Sequence, residues 1–173
     1  FAATPNSAMY LNSKLHLVDI NLNNYTIDLN CLEEKLKKIR SRSSKNITVI
    51  GVDYAGHPCD WESMSFLSKK YKTFLMNDNC HAIGAKFKGN IGYAAKYADI
   101  ATQSYHPVKN ITTGEGGSIL TNNHELYNKI KTLRSHGIYK NKLTKKKGTH
   151  FYDITELGYN FRLSDINCAL GIS

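Results

Sequence analysis

The sequence predicts an α/β fold with a mainly parallel sheet, and three observations point there. Short apolar runs recur along the chain, amphipathic helical patterns fall between them, and polar, chargeable residues gather just beyond the carboxyl ends of the runs. That last position is where open α/β sheets keep their ligand sites.

Five runs read as strands: "HLVDI" (16–20), "ITVIGVDY" (47–54), "TFLMND" (73–78), "IATQSYH" (100–106) and "SILTN" (118–122). Between the first two lies "DLNCLEEKLKKIR", whose Leu29, Leu32, Leu36 and Ile39 share one helical face. A second helix is expected over 60–72, with Asp60 as its cap and Met64, Leu67 and Tyr71 turned inward. A third, over 124–137, carries Leu126, Ile130 and Leu133 at helical spacing and closes on Gly137. The later strands leave no room for long helices between them, so part of the sheet is expected to be mixed. The segment 139–152 reads as a mobile loop. Both ends look cut: "FAAT" opens on an aromatic without a helix cap, and a helix capped by Ser164 stops after about two turns.

Composition narrows the function classes. With 173 residues, 41% hydrophobic and 21% charged, the chain has the make-up of a globular domain. No apolar run approaches the roughly 20 residues of a membrane helix. Cys31, Cys59, Cys80 and Cys168 form no CxxC pair, which favours a reducing, cytoplasmic setting. Lys and Arg outnumber Asp and Glu by 23 to 14, part of the excess lying at Lys140, Lys142, Lys145, Lys146 and Lys147. A basic balance suits anionic ligands, although a solvated loop is the plain reading of that run.

The expected strand ends carry Asp53, then Asp78 with Cys80 and His81, then the stretch "SYHPVKNITTGEGG" (104–117). A lysine just beyond a strand end can lose pKa by partial burial and become a nucleophilic amine. Such lysines form Schiff bases with carbonyl compounds and with pyridoxal phosphate. A pyridoxal site also needs an acid for the ring nitrogen, which Asp78 could supply, and donors for a phosphate, which Ser104 could supply. A rival reading gathers His57, Cys59, Asp78, Cys80 and His81 around zinc, though neither HxC nor DxCH is a usual zinc spacing. A nucleic-acid reading would pair the lysine run with Tyr139, Phe151 and Tyr152. It lacks any accompanying signature, and "GEGG" has no trailing Lys-Ser/Thr of a phosphate-binding loop.

Six stretches then follow the motif order of one family: "FAATPNSAMYLNSKLHLVDI", "YTIDLNCLEEKL", "NDNCHAIGAKFKG", "SYHPVKNITTGEGGSILTNN", "KTLRSHGI" and "ELGYNFRLSDINCALG". Together they resemble the DegT/StrS family of pyridoxal-phosphate-dependent sugar aminotransferases, over essentially the whole chain. The resemblance implies an aspartate-aminotransferase-like large domain, with the family's Gly-Thr phosphate turn and small C-terminal domain outside residues 1–173. It implies that Lys109 holds the cofactor's aldehyde and moves protons, that Asp78 faces the pyridine nitrogen, and that His81 lies near the ring. Phe1 would stack on the ring, Ser104 would bind the phosphate, and Asn160 would reach the phosphate of a neighbouring subunit in a homodimer. His106, Arg134 and His136 would line the sugar-nucleotide side, with glutamate as amino donor. Asn77 stands where relatives carry an acid before the aspartate. Two other readings share the fold: a non-catalytic paralogue or regulator, and a sugar dehydratase, against which Lys109 speaks because dehydratases of the family carry histidine there.

Overall fold

The computed structural model describes residues 1–139, 148 and 150–173. Strands β1 (Thr48–Val52), β2 (Phe74–Asp78), β3 (Ile100–Ser104) and β4 (Gly117–Leu120) form one sheet in sequence order. The first three are parallel and β4 turns back antiparallel, so the sheet is mixed as expected. Helix α1 (Ala3–Met9) opens the chain, followed by α2 (Leu29–Arg40), α3 (Trp61–Tyr71), the short α4 (Ala94–Tyr97), α5 (His124–Leu133) and α6 (Asp165–Ile172). A small hairpin pairs β5 (Ile138–Tyr139) with β6 (Asp153–Ile154). The expected loop 139–152 and its lysine run lie mostly outside the described residues.

Local chemistry sets the helix starts. The side chains of Asp28, Asp60, Asn123 and Ser164 each accept a backbone N–H of the first turn, at Cys31, Ser63, Glu125 with Leu126, and Asn167. Asp60 and Ser164 are thus the caps the sequence predicted. Helix α5 ends at Leu133, short of Gly137, because the chain turns through His136 and Gly137, both at positive φ. Helix α1 forms without a side-chain cap.

Alternation along the strands separates two faces. On the back face, Val49, Gly51, Leu75, Asn77 and Ala101 are buried beneath helices whose Leu32, Leu36, Trp61, Met64, Leu67, Tyr93 and Ala94 complete the core. Gly51 is needed for that contact: a Cβ there would lie 2.8 Å from Met64 Cε and 2.9 Å from Trp61 Cη2. On the front face, Ile50, Val52, Met76, Asp78, Thr102 and Ser104 are half-buried.

One expected strand is absent. "HLVDI" forms no strand: among the described residues its ladder pairing is one isolated bridge between Ile20 and Ile27, and Leu17 is exposed. An apolar run becomes a strand only where a neighbour continues its ladder, and here the pairing stops at that bridge.

Candidate active site

The front face gathers the chemistry at the carboxyl ends of β2 and β3. Asp78 is the last residue of β2, and Asp53 N–H donates to its carbonyl at 3.0 Å, tying the ends of β1 and β2 together. Its carboxylate accepts from Thr4 Oγ1 at 2.7 Å and from the Cys80 N–H at 3.3 Å. Helix α1 therefore crosses to the front face and orients this acid. Asn79 N–H bonds Thr102 O at 2.9 Å, which carries the register into β3.

Beyond Ser104 the chain makes a tight loop and returns as β4. Lys109 sits in a turn closed by its N–H to His106 O at 2.9 Å, and it is half-buried. The loop is pinned at its base by Thr113 N–H to Tyr105 O at 3.0 Å and Tyr105 N–H to Gly116 O at 2.9 Å. Gly114, at φ +78°, allows the reversal, and Gly117 enters β4 opposite Ser104.

Cys80 links the two halves of the site. Its thiol is pushed up to about 12, mainly by burial and further by the hydrogen bond and charge of Asp78; Thr102 and the positive charge of Lys109 pull the other way. The Cys80 N–H binds the Asp78 carboxylate and its thiol donates to Thr102 O at 3.7 Å, so the residue bridges the ends of β2 and β3. A thiol held protonated in this way is a poor metal ligand and a poor nucleophile. Among the described residues, no group of three or more His, Cys, Asp or Glu side chains is arranged to hold a metal ion. Cys59 of the zinc reading is instead turned inward, its thiol donating to Val52 O at 3.3 Å.

The remaining expected residues fall into three places. Half-buried His81 lies beside Tyr54, ring centroids 6.2 Å apart, next to the Asp78 end. Ser104 is on the front face, where its Oγ accepts from His106 N–H at 3.4 Å, and the His106 ring faces Glu115 at 3.8 Å. Arg134, His136 and Asn160 form a separate exposed group, joined by the bridge between Ser135 and Asn160 and by His136 N–H to Tyr159 O at 2.7 Å. Helix α6 docks on the Lys109 loop, where Asn167 Nδ2 donates to Thr113 O. Phe1 is 98% exposed and stacks on nothing within the described residues.

Sequence reading missed the buried polar layer behind the site. Asp53, fully buried, accepts four hydrogen bonds: Cys59 N–H and Trp61 Nε1 at 2.9 Å on one oxygen, Asn79 Nδ2 at 2.9 Å and Tyr93 OH at 2.8 Å on the other. Its presence drives the Tyr93 hydroxyl up, after burial, and burial with the Asp53 charge pushes the Cys59 thiol up to about 12. Asn77 is also fully buried, and its amide finds no partner among the described residues. Asn77 and Asn79 fall in step with buried Leu75, but Asp78 between them makes a continuous polar run that hides the alternation in the sequence.

A carboxylate oriented by a hydroxyl, an amine on the next strand's turn and a front-face serine hydroxyl are the donor set a pyridine nitrogen, an aldehyde and a phosphate require. The residues present fit pyridoxal phosphate. A mixed α/β sheet with this edge defines the fold of the pyridoxal-phosphate sugar aminotransferases. The whole chain, residues 1–173, matches the DegT/DnrJ/EryC1/StrS aminotransferase family, and the protein belongs to it.

Particular relatives sharpen the comparison. The chain is 45% identical over 174 residues to the UDP-4-amino-4,6-dideoxy-N-acetyl-beta-L-altrosamine transaminase of Campylobacter jejuni, covering 100% of this chain and 43% of that protein. It is similar to the solved Helicobacter pylori PseC, an aminotransferase in the biosynthesis of pseudoaminic acid, at TM-score 0.85 and 32% identity, covering 99% of this chain and 42% of that one. A Streptococcus pneumoniae protein described as a sugar aminotransferase, solved in its PLP form, matches at TM-score 0.82 and 25% identity over 99% of this chain and 45% of that one. The chain thus spans less than half the length of these relatives.

Proposed function

We propose that residues 1–173 form part of the large, cofactor-binding domain of a pyridoxal-phosphate-dependent sugar aminotransferase. The phosphate turn and small domain lie outside this chain. The substrate is a nucleotide-linked 4-keto-6-deoxy sugar, by similarity to the altrosamine transaminases the UDP-linked precursor of pseudaminic acid, and the amino donor is glutamate. The enzyme works in the cytoplasm as a homodimer with shared sites, towards surface glycans. One observation carries the reading: Asp78, bonded by Thr4 Oγ1 at 2.7 Å, ends β2, and half-buried Lys109 lies in the turn just past the end of the adjacent strand β3.

When bound, pyridoxal phosphate supplies an electron sink that stabilises negative charge at the carbon bearing the exchanging amino group. The chain's own residues do the rest. Asp78, steadied by Thr4, holds a proton on the pyridine nitrogen; a carboxylate oriented by hydrogen bonds keeps a neighbouring cation protonated. Lys109, on the turn just past the end of β3, would supply the amine that holds the cofactor's aldehyde and would carry protons for the exchange. Ser104 gives a hydroxyl to the phosphate, and His81 borders the ring beside Asp78. His106, Arg134 and His136 present imidazole and guanidinium donors to the sugar-nucleotide, and Asn160 extends toward the partner subunit's phosphate.

The test uses the full-length protein. Lys109→Ala should abolish both the bound cofactor's visible absorbance and amino transfer from glutamate to a panel of UDP-keto sugars. Retention of both overturns the assignment. A wild-type protein that gives no spectral change on titration with pyridoxal phosphate supports a non-catalytic paralogue instead.

A further inference from the structure

Behind the active-site face runs a continuous hydrogen-bonded chain, and its links sit one residue away from the site residues. Asn79 follows Asp78, and Gln103 precedes Ser104. By alternation, Asn79 and Gln103 point to the back face while Asp78 and Ser104 point to the front. Gln103 Nε2 donates to Asn79 Oδ1 at 3.2 Å, and Gln103 Oε1 accepts from Ser118 Oγ at 3.2 Å and Tyr105 OH at 3.4 Å. Tyr105 OH and Ser118 Oγ also lie 2.7 Å apart, so when one donates to the other a single hydroxyl proton is left for Gln103 Oε1. The other end is Asp53, reached through Asn79 Nδ2. The chain therefore spans the ends of all four strands, from Asp53 beyond β1 to Ser118 in β4.

The polarity of this chain is forced. A carboxylate only accepts, so Asn79 must turn its NH2 to Asp53 and its oxygen to Gln103. Gln103 must then turn its NH2 to Asn79 and its oxygen to the two hydroxyls. Each amide has one orientation that satisfies its neighbours, because flipping either Asn79 or Gln103 sets two like groups against each other at their shared contact. Surface polar residues would impose no such order. The arrangement ties β2 to β3 by side chains just where the ladder ends, since the last paired register is Asp78 with Thr102.

We propose that Asn79 and Gln103 are positioning residues for the active site. Anchored on Asp53, they fix the direction in which Asp78 and Ser104 leave their strands, and through Tyr105 they hold the base of the Lys109 loop. Tyr105 contributes twice, because its side chain joins the relay while its carbonyl and N–H close the loop on Thr113 and Gly116. The proposal rests on the site reading above only for what Asp78 and Ser104 bind.

The experiment compares four forms of the full-length protein: wild type, Gln103→Leu, the milder double variant Tyr105→Phe/Ser118→Ala, and Leu36→Ala as a core truncation away from the relay. Amide hydrogen exchange is measured on the cofactor-free proteins. Both relay variants should speed exchange about tenfold in segments 78–81 and 104–109 while leaving 29–40 unchanged. Leu36→Ala should do the reverse. Titration with pyridoxal phosphate should then show about tenfold weaker binding for Gln103→Leu, a smaller loss for the double variant, and less than twofold for Leu36→Ala. Exchange that rises uniformly, or affinity losses that track melting temperature across all the variants, would overturn the positioning role. A wild-type protein that binds no pyridoxal phosphate overturns the cofactor reading alone, because the exchange comparison still decides the relay.

Discussion

Thr4 Oγ1 donates to Asp78 Oδ2 at 2.7 Å, across 74 residues of sequence. Helix α1 therefore does more than begin the chain. It brings a hydroxyl to the acid that the functional reading places against the pyridine nitrogen. The bond leaves Asp78 with one oxygen committed to Thr4 and the other to the Cys80 N–H, so its plane cannot rotate freely. Thr4→Val, which keeps the shape and loses the hydroxyl, should weaken pyridoxal phosphate binding by the worth of one hydrogen bond, about 1 kcal/mol or roughly fivefold. Thr4→Ser should retain wild-type affinity. Absorbance titration of the two full-length variants checks this; equal affinity for Val and wild type would remove Thr4 from the site.

Asp53 carries the largest expected stability effect. Four donors converge on a fully buried carboxylate, and the core residues Trp61 and Tyr93 depend on it for their own polar atoms. Asp53→Asn keeps the volume but turns an NH2 toward two of those donors. Leaving them unpaired should cost about 2–4 kcal/mol. Urea unfolding of the full-length protein measures it, and a loss below about 1 kcal/mol would show that the donors find other partners.

Gly137 tests how the outer group of Arg134, His136 and Asn160 is assembled. Its φ is +71°, and a Cβ would lie 1.7 Å from Glu156 O, a backbone atom that cannot swing aside. The positive φ alone would be relieved by asparagine, which tolerates that region better than alanine. The contact with Glu156 would not. Gly137→Ala and Gly137→Asn should therefore destabilise about equally, each by more than about 2 kcal/mol. A clearly milder asparagine variant would assign the cost to φ instead of to the close approach.

The gathering of Asp78, Ser104 and Lys109 at one edge of the sheet was legible in the sequence, and the reason is geometric. Asp78, Ser104 and Lys109 end apolar runs or follow just after them, and a parallel sheet delivers run ends to one edge whatever the details of packing. Helix caps such as Asp60 and Ser164 were legible because capping is local. What depended on distant partners was not. "HLVDI" has the composition of a strand without a neighbour to pair with. Thr4 reads as an ordinary helix residue until the fold carries α1 across the sheet. Asn79 and Gln103 look like any polar residues near a strand end, since nothing local reveals that Asp53 and Tyr93 meet Asn79 from 26 and 14 residues away, or that Gln103 meets Asn79 across 24.

Cys80 offers the last test, and the sign of its pH dependence follows from the direction of its shift. Its thiol is raised from 9.0 to about 12, chiefly by burial, with Asp78 adding to the effect. Below pH 9 the thiol is protonated in both the folded and unfolded chain, so its contribution to stability is fully present. As pH rises through the window from about 9 to about 12, the unfolded chain ionises first and that contribution is lost. Cys59, raised in the same direction, adds to the same alkaline decline. At pH 8 the native thiolate fraction at Cys80 should be about a thousandfold below that of an unperturbed thiol, and alkylation should slow accordingly. Iodoacetamide labelling followed by peptide mass spectrometry, native against urea-unfolded, measures the ratio directly. A native rate within tenfold of the unfolded one would mean that Cys80 is an open, reactive thiol, and its packing between Asp78 and Thr102 would have to be redrawn.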